Sequence, residues 1–178
     1  MSTGKRFTPR TIFVLTVLAA VLIGLLWDGS PLGSFLVRQA VKAKFSSVRS
    51  VTPAELVAWK ADPNRPPALL VDARPQAQFA MSHLDGAVRI DPAEPDLVVI
   101  ANVPKGNPIV VYDAVGAVGA AMAQALTAAG YTRVSNLEGG IFAWANSGQR
   151  LVNDQGPAHQ VDPVSWTWGR LLKGKYRP

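Results

Sequence analysis

Hydrophobic residues are distributed along the chain in two different ways. Residues 11–27 (TIFVLTVLAAVLIGLLW) form seventeen consecutive positions without a charge. At about 1.5 Å per helical residue they cover about 25 Å, the short end of what a hydrocarbon core of about 30 Å requires. A buried soluble helix usually carries polar positions on one side. A cleaved export signal needs a small-x-small site, and the following DGSPLGSF has none at the expected distance. The expectation is an uncleaved, single-pass membrane anchor.

Beyond it the pattern breaks into short pieces. Within the connector 28–50, Gly29, Pro31 and Gly33 are expected to interrupt helix, and SFLVRQAVKAKFSSV then shows amphipathic spacing through Phe35, Val37, Val41 and Phe45. That spacing suits a helix lying on a membrane surface or a solvated linker helix, and the pattern leaves both open. Thr52-Pro53-Ala54-Glu55 is a helix start, with Thr as cap, Pro at the first helical position and Glu reaching back. Pro63, Pro66 and Pro67 end that helix. Short apolar runs at 68–71 (ALLV), 87–90 and 108–112 (PIVVY) predict strands covered on both faces, and 133–135 a further short strand. Helices are predicted over 76–81, 116–130 and 141–146, the second closed by Gly130, while 97–100 stays undetermined.

Strands separated by helices argue for an α/β fold, an open parallel sheet with helices on both faces. Such sheets place their sites where strands end and helices begin. The junction singled out is Tyr112 followed by Asp113, Ala114, Val115, Gly116, Ala117, Val118 and Gly119.

Composition changes this picture in three respects. The 178 residues hold one ordinary domain plus attachments. They include no cysteine, which removes disulfides, thiolate metal sites and any cysteine nucleophile. The net charge of +6 is uneven: residues 1–49 carry seven basic and one acidic residue, 50–149 six and nine, and 150–178 five and two. Lys5, Arg6 and Arg10 border the apolar segment and Asp28 is the first charge after it, so the amino terminus is expected in the cytoplasm of a bacterium. The inner membrane would then carry the domain on its periplasmic side. Basic residues beside a membrane segment attract anionic headgroups, and 50–149 shows no basic aromatic face for nucleic acid.

Two longer motifs carry a family resemblance. LLVDARPQAQFAMSHLDGAVRI at 69–90 has Asp72 and Arg74 at a strand end, then an aromatic residue, His83 and a Gly-Ala. GYTRVSNLEGGIFAW at 130–144 has Glu138, Gly139 and Gly140 leading into a helix with a tryptophan. Residues 51–150 thereby resemble the rhodanese-like family. The resemblance implies a sulfurtransferase fold whose active loop follows a strand and opens with a cysteine, with an arginine five residues on. Here those positions are Asp113 and Val118, and the rest of the loop is apolar.

A carboxylate cannot carry a transferable sulfur, and valine lacks the donor fork that holds an oxyanion. The resemblance therefore implies an inactive member: a binding or scaffolding domain tethered to a membrane, accessory to a membrane-protein complex. The alternative is an enzyme with altered loop chemistry acting on a small anionic substrate. Asp113 is expected to cap the following helix and to fill the cradle of an anionic substrate. Aspartyl-phosphate chemistry would need further carboxylates and a lysine, which the loop lacks, and Gly116-x-x-Gly119 lacks the first glycine of a dinucleotide turn.

Asp72 and Arg74 are expected to form a structural ion pair or a cap near the same sheet edge, and His83 to be a structural histidine. His159 has no partner at metal spacing, so neither metal nor cofactor is expected. In the tail 151–178, Trp166, Trp168, Arg170, Lys173, Lys175 and Arg177 mix aromatic and basic character. They suit a membrane interface or a protein partner, or tryptophans packed on their own domain.

Overall fold

The computed structural model describes residues 29–178, so the expected anchor 11–27 and its basic flank lie outside the described residues. Among those described, no helix is long and apolar enough to cross a membrane. The first element is helix α1, Pro31–Lys44. Pro31 and Gly33, expected to interrupt helix, instead help begin one. Ser30 Oγ accepts the Gly33 N–H at 3.0 Å, and Pro31 sits in the first turn, where its missing N–H costs no bond.

Strand β1, Arg49–Val51, leads into α2, Pro53–Ala61, which opens with the expected reciprocal cap: Thr52 Oγ1 accepts the Glu55 N–H and Glu55 Oε2 accepts the Thr52 N–H. There follow β2 (Leu69–Asp72), α3 (Gln76–Met81), β3 (Ala87–Arg89), a 3₁₀ turn (Leu97–Ile100), β4 (Ile109–Tyr112), α4 (Ala117–Ala128), β5 (Val134–Leu137) and α5 (Gly140–Asn146). An antiparallel pair, β6 (Leu151–Asn153) and β7 (Gly156–Ala158), precedes a one-turn α6, Trp166–Gly169.

The five strands β1 to β5 form one parallel sheet in the order β1-β5-β4-β2-β3. Period-two alternation sends their apolar side chains into two cores. Leu70, Val110 and Tyr112 join α2, α5 and the tail on one face, while Val71, Ile109 and Val111 meet Met122 and Leu126 of α4 on the other. Covering both faces explains why ALLV and IVVY are continuous apolar runs. The core does not end at Arg150: Val161, Leu171 and Leu172 are buried in the first cluster. Each such burial contributes about 1.5–3 kcal/mol.

Candidate functional site

The polypeptide leaves the C-terminal end of β4 and turns into α4 through Asp113 to Gly116. Gly116, in the left-handed region at φ 100°, holds the cap position expected of Asp113, which begins the turn three residues earlier. The Asp113 carboxylate nevertheless does the capping: Oδ1 accepts the Gly116 N–H at 2.5 Å and Oδ2 the Val118 N–H at 3.1 Å. A glycine at the cap is what lets the chain curl back around that carboxylate. Asp113 is only 4% exposed, and burial pushes its carboxyl above the ordinary range, opposed by the N–H groups of Val118 and Gly116.

The second sequence motif braces this loop. Gly139 and Gly140 take positive φ, and the first amides of α5 turn toward the loop: the Ile141 N–H donates to the Asp113 carbonyl at 2.8 Å and the Phe142 N–H to the Ala114 carbonyl at 3.1 Å. A Cβ on Gly140 would collide with those two carbonyl groups, and one on Gly119 would lie 2.6 Å from Asn136 Oδ1. Asn136 Nδ2 donates to the Gly116 carbonyl at 2.9 Å. Sequence reading missed Asn136; its signal was a buried-strand polar residue beside the Leu-Glu-Gly-Gly motif. The loop is thus braced from both sides, by the first amides of α5 and by Asn136 of β5.

One strand over, Arg74 donates from Nε to Asp72 Oδ1 at 2.9 Å and from Nη2 to Oδ2 at 2.6 Å and to the Ser82 carbonyl at 2.6 Å. Asp72 is fully buried and Arg74 is 2% exposed. Burial works against the guanidinium charge, but bonding to Asp72 and its field prevail and raise the pKa of Arg74. His83 stacks on Phe79 with ring centroids 4.0 Å apart, and its Nδ1 is 2.9 Å from the Phe79 carbonyl. Its backbone exchanges hydrogen bonds with Val152, tying the first motif to β6. Among the described residues no cluster of His, Cys, Asp and Glu could hold a metal ion.

A cleft of about 790 Å³ lies over the loop. Val37 and Val41 of α1, with Phe45 just after it, wall one side, Val115, Val118 and Ala121 another, Val164 and Trp168 of the tail a third, with Asp113 and Arg74 among its lining residues. The connector helix therefore packs on the domain, fastened by Arg38 and Lys42 to Glu138 at 3.4 and 2.9 Å. The sequence did not suggest that α1 would wall this cleft or that Glu138 would hold it there. Val118, where the resemblance implies an arginine, is 42% exposed on the cleft.

The tail residues part company. Trp166 is 74% exposed with the Arg170 guanidinium 5.0 Å from its ring centroid, and Trp168 lines the cleft. Lys173 is docked on Asn146 through its N–H and its ammonium, at 2.9 and 2.7 Å. Lys175 lies 4.8 Å from the Tyr176 ring centroid, and the Arg177 carbonyl accepts from Gln160.

Comparison with known proteins places this arrangement. The profile of the rhodanese-like domain family matches residues 52–147. A sulfurtransferase of Allochromatium vinosum is 35% identical over 88 residues, which span 49% of this chain and 81% of that protein. The uncharacterized protein YibN of Escherichia coli is 31% identical over 91 residues, 50% of this chain and 64% of its own. In three dimensions, the crystal structure of a thiosulfate sulfurtransferase from Pseudomonas aeruginosa aligns with a TM-score of 0.56 at 23% identity, over 78% of this chain and 25% of that one.

Proposed function

The chain belongs to the rhodanese-like domain family, and from that premise we propose that it is a noncatalytic member that binds rather than transfers, tethered to a membrane by residues 11–27. The observation that carries this reading is the Asp113 carboxylate. It takes the Gly116 and Val118 amides that would otherwise point at an anion, from the position where the family resemblance implies the sulfur-bearing cysteine. A negative charge already seated in a ring of N–H groups repels a second one, and no thiolate exists anywhere in the chain to accept sulfur.

What the loop offers in place of an anion cradle is an apolar cleft. Its size falls within the roughly 300–1,000 Å³ typical of ligand sites, and its walls come from segments far apart in the chain. An apolar segment of a membrane-protein partner is the occupant this chemistry suits, which makes the domain an accessory component of a membrane complex. The charge pattern around residues 11–27 supports a cytoplasmic amino terminus and a periplasmic domain; a reporter fused after Pro178 that works only in the cytoplasm would reverse that topology.

The test is sulfur transfer from thiosulfate to cyanide by the full chain in nonionic detergent. The expected rate equals that of a protein-free blank, and turnover clearly above the blank overturns the reading. Asp113→Cys sharpens it: a thiolate in the same amide cradle attacks the outer sulfur of thiosulfate, releases sulfite and keeps a persulfide. Cyanide then removes that sulfur as thiocyanate. Gain of one sulfur atom by mass in this variant shows that the cradle is intact and that the carboxylate alone closes it.

A further inference from the structure

A second, chemically opposite cavity lies at the other side of the fold, beside edge strand β1. It measures about 190 Å³ and is lined by Arg49, Arg65, Arg133 and Ser135, with Trp59 and Glu55 in its wall. The parallel register pairs Arg49 with Ser135, and Arg133 precedes Ser135 by two residues, so all three side chains belong to one face of the sheet. Arg65 arrives from the loop after α2 and stacks on Trp59, its guanidinium carbon 3.8 Å from the ring centroid. Trp59 is itself fixed by an Nε1 hydrogen bond to the Pro66 carbonyl at 2.9 Å.

None of the three arginines makes an ion pair among the described residues. The acid in the wall, Glu55, is already engaged: its Oε2 receives both the N–H and the O–H of Thr52 at 2.8 Å. Ser135 is 6% exposed, lines the cavity, and its hydroxyl has no hydrogen-bond partner among the described residues. Like charges gathered in one small concavity repel one another, and a hydroxyl on the cavity wall with no protein partner keeps its donor for a ligand. One tetrahedral oxyanion uses both, since guanidinium forks match its oxygens and the hydroxyl supplies a further donor.

We propose that Arg49, Arg65, Arg133 and Ser135 form a binding site for a phosphomonoester. Its charge of about −1.5 to −2 at neutral pH and its three acceptor oxygens suit three guanidinium groups better than a carboxylate does. The site lies apart from the loop that follows β4 and does not depend on whether that loop is inert.

The experiment uses the full chain in nonionic detergent and titration calorimetry. One arm adds inorganic phosphate or glycerol 3-phosphate, with chloride at equal ionic strength as reference; the other adds mixed micelles of phosphatidic acid, with phosphatidylcholine as reference. Saturable one-to-one binding in the first arm assigns a free phosphomonoester, and binding confined to phosphatidic acid assigns a lipid headgroup. Arg49→Gln and Arg133→Gln should each weaken binding about tenfold, and Ser135→Ala by less. Arg89→Gln, on the opposite edge strand, should leave it unchanged. Where Arg133→Gln does not fold, Arg65→Gln, on an exposed loop, replaces it. Absence of saturable binding in both arms overturns the site, as does an Arg89→Gln loss equal to that of the pocket arginines.

Discussion

Asp72 and Asp113 stand at the ends of neighbouring parallel strands, β2 and β4, one residue apart in register, and both are withdrawn from water. Their surroundings answer the same burial differently. Asp72 meets a guanidinium through two hydrogen bonds, and that guanidinium is anchored in turn by the Ser82 carbonyl. Among the described residues Asp113 meets no cation within bonding reach, only peptide N–H groups at the start of α4. A full counter-charge makes the first site a clamp between β2 and the turn after α3. Backbone dipoles make the second site a plug, compatible with ionisation but leaving a cost that shows as a raised pKa.

The largest expected effect removes the counter-charge. Arg74→Ala leaves Asp72 buried and unpaired and should cost about 3–5 kcal/mol in urea unfolding. Asp113→Ala, which strands two amides but no charge, should cost less, about 1–3 kcal/mol. Equal losses in the two variants would erase the distinction between clamp and plug.

A subtler measurement compares stability against pH for the wild type and Asp113→Asn. A carboxyl whose pKa is raised in the folded state binds protons more tightly there than when unfolded. Its favourable contribution is therefore present at low pH and lost as pH rises from its ordinary value of 3.8 through the raised folded value. Glu55 and Asp91, held low by hydrogen bonds, act in the opposite direction in both proteins and cancel in the difference. Wild type should thus lose stability relative to Asp113→Asn as pH rises across that window; a flat difference would mean the carboxylate suffers no burial cost. The smallest expected effect is at the rim: Glu138→Gln removes two partly exposed ion pairs, should cost under about 1 kcal/mol, and should matter less at high salt.

Elements with strong local signals were legible in sequence. The Thr52 to Glu55 box and the IVVY run have one physical reading each, and the structure has α2 and β4 there. The position of Asp113 beside the helix start was also legible, because strand, turn and Ala-rich helix leave few places for it. Its role as the capping group was right, and its place as the cap residue was not, since only Gly116 can take the left-handed turn. Pro31 and Gly33, in the first turn of α1, were misread because Pro is a breaker inside a helix and a starter in its first turn, and only the Ser30 bond distinguishes the cases. The cleft walls and the arginine cavity were illegible for a different reason. Both join residues far apart in the chain, Val41 with Val118 and Trp168 in one, Arg49 with Arg65 and Arg133 in the other.

The fastening of α1 to the domain has a mechanical consequence. Only Asp28 and Gly29 separate Trp27 from the Ser30 cap, and the fourteen helical residues after it, about 21 Å long, are latched to Glu138 as a strut. On the proposal that residues 11–27 span a bilayer, so short a junction would keep the domain close to the lipid, and a partner embedded in the same bilayer would meet the cleft at high effective concentration, an advantage a freely diffusing one would lack.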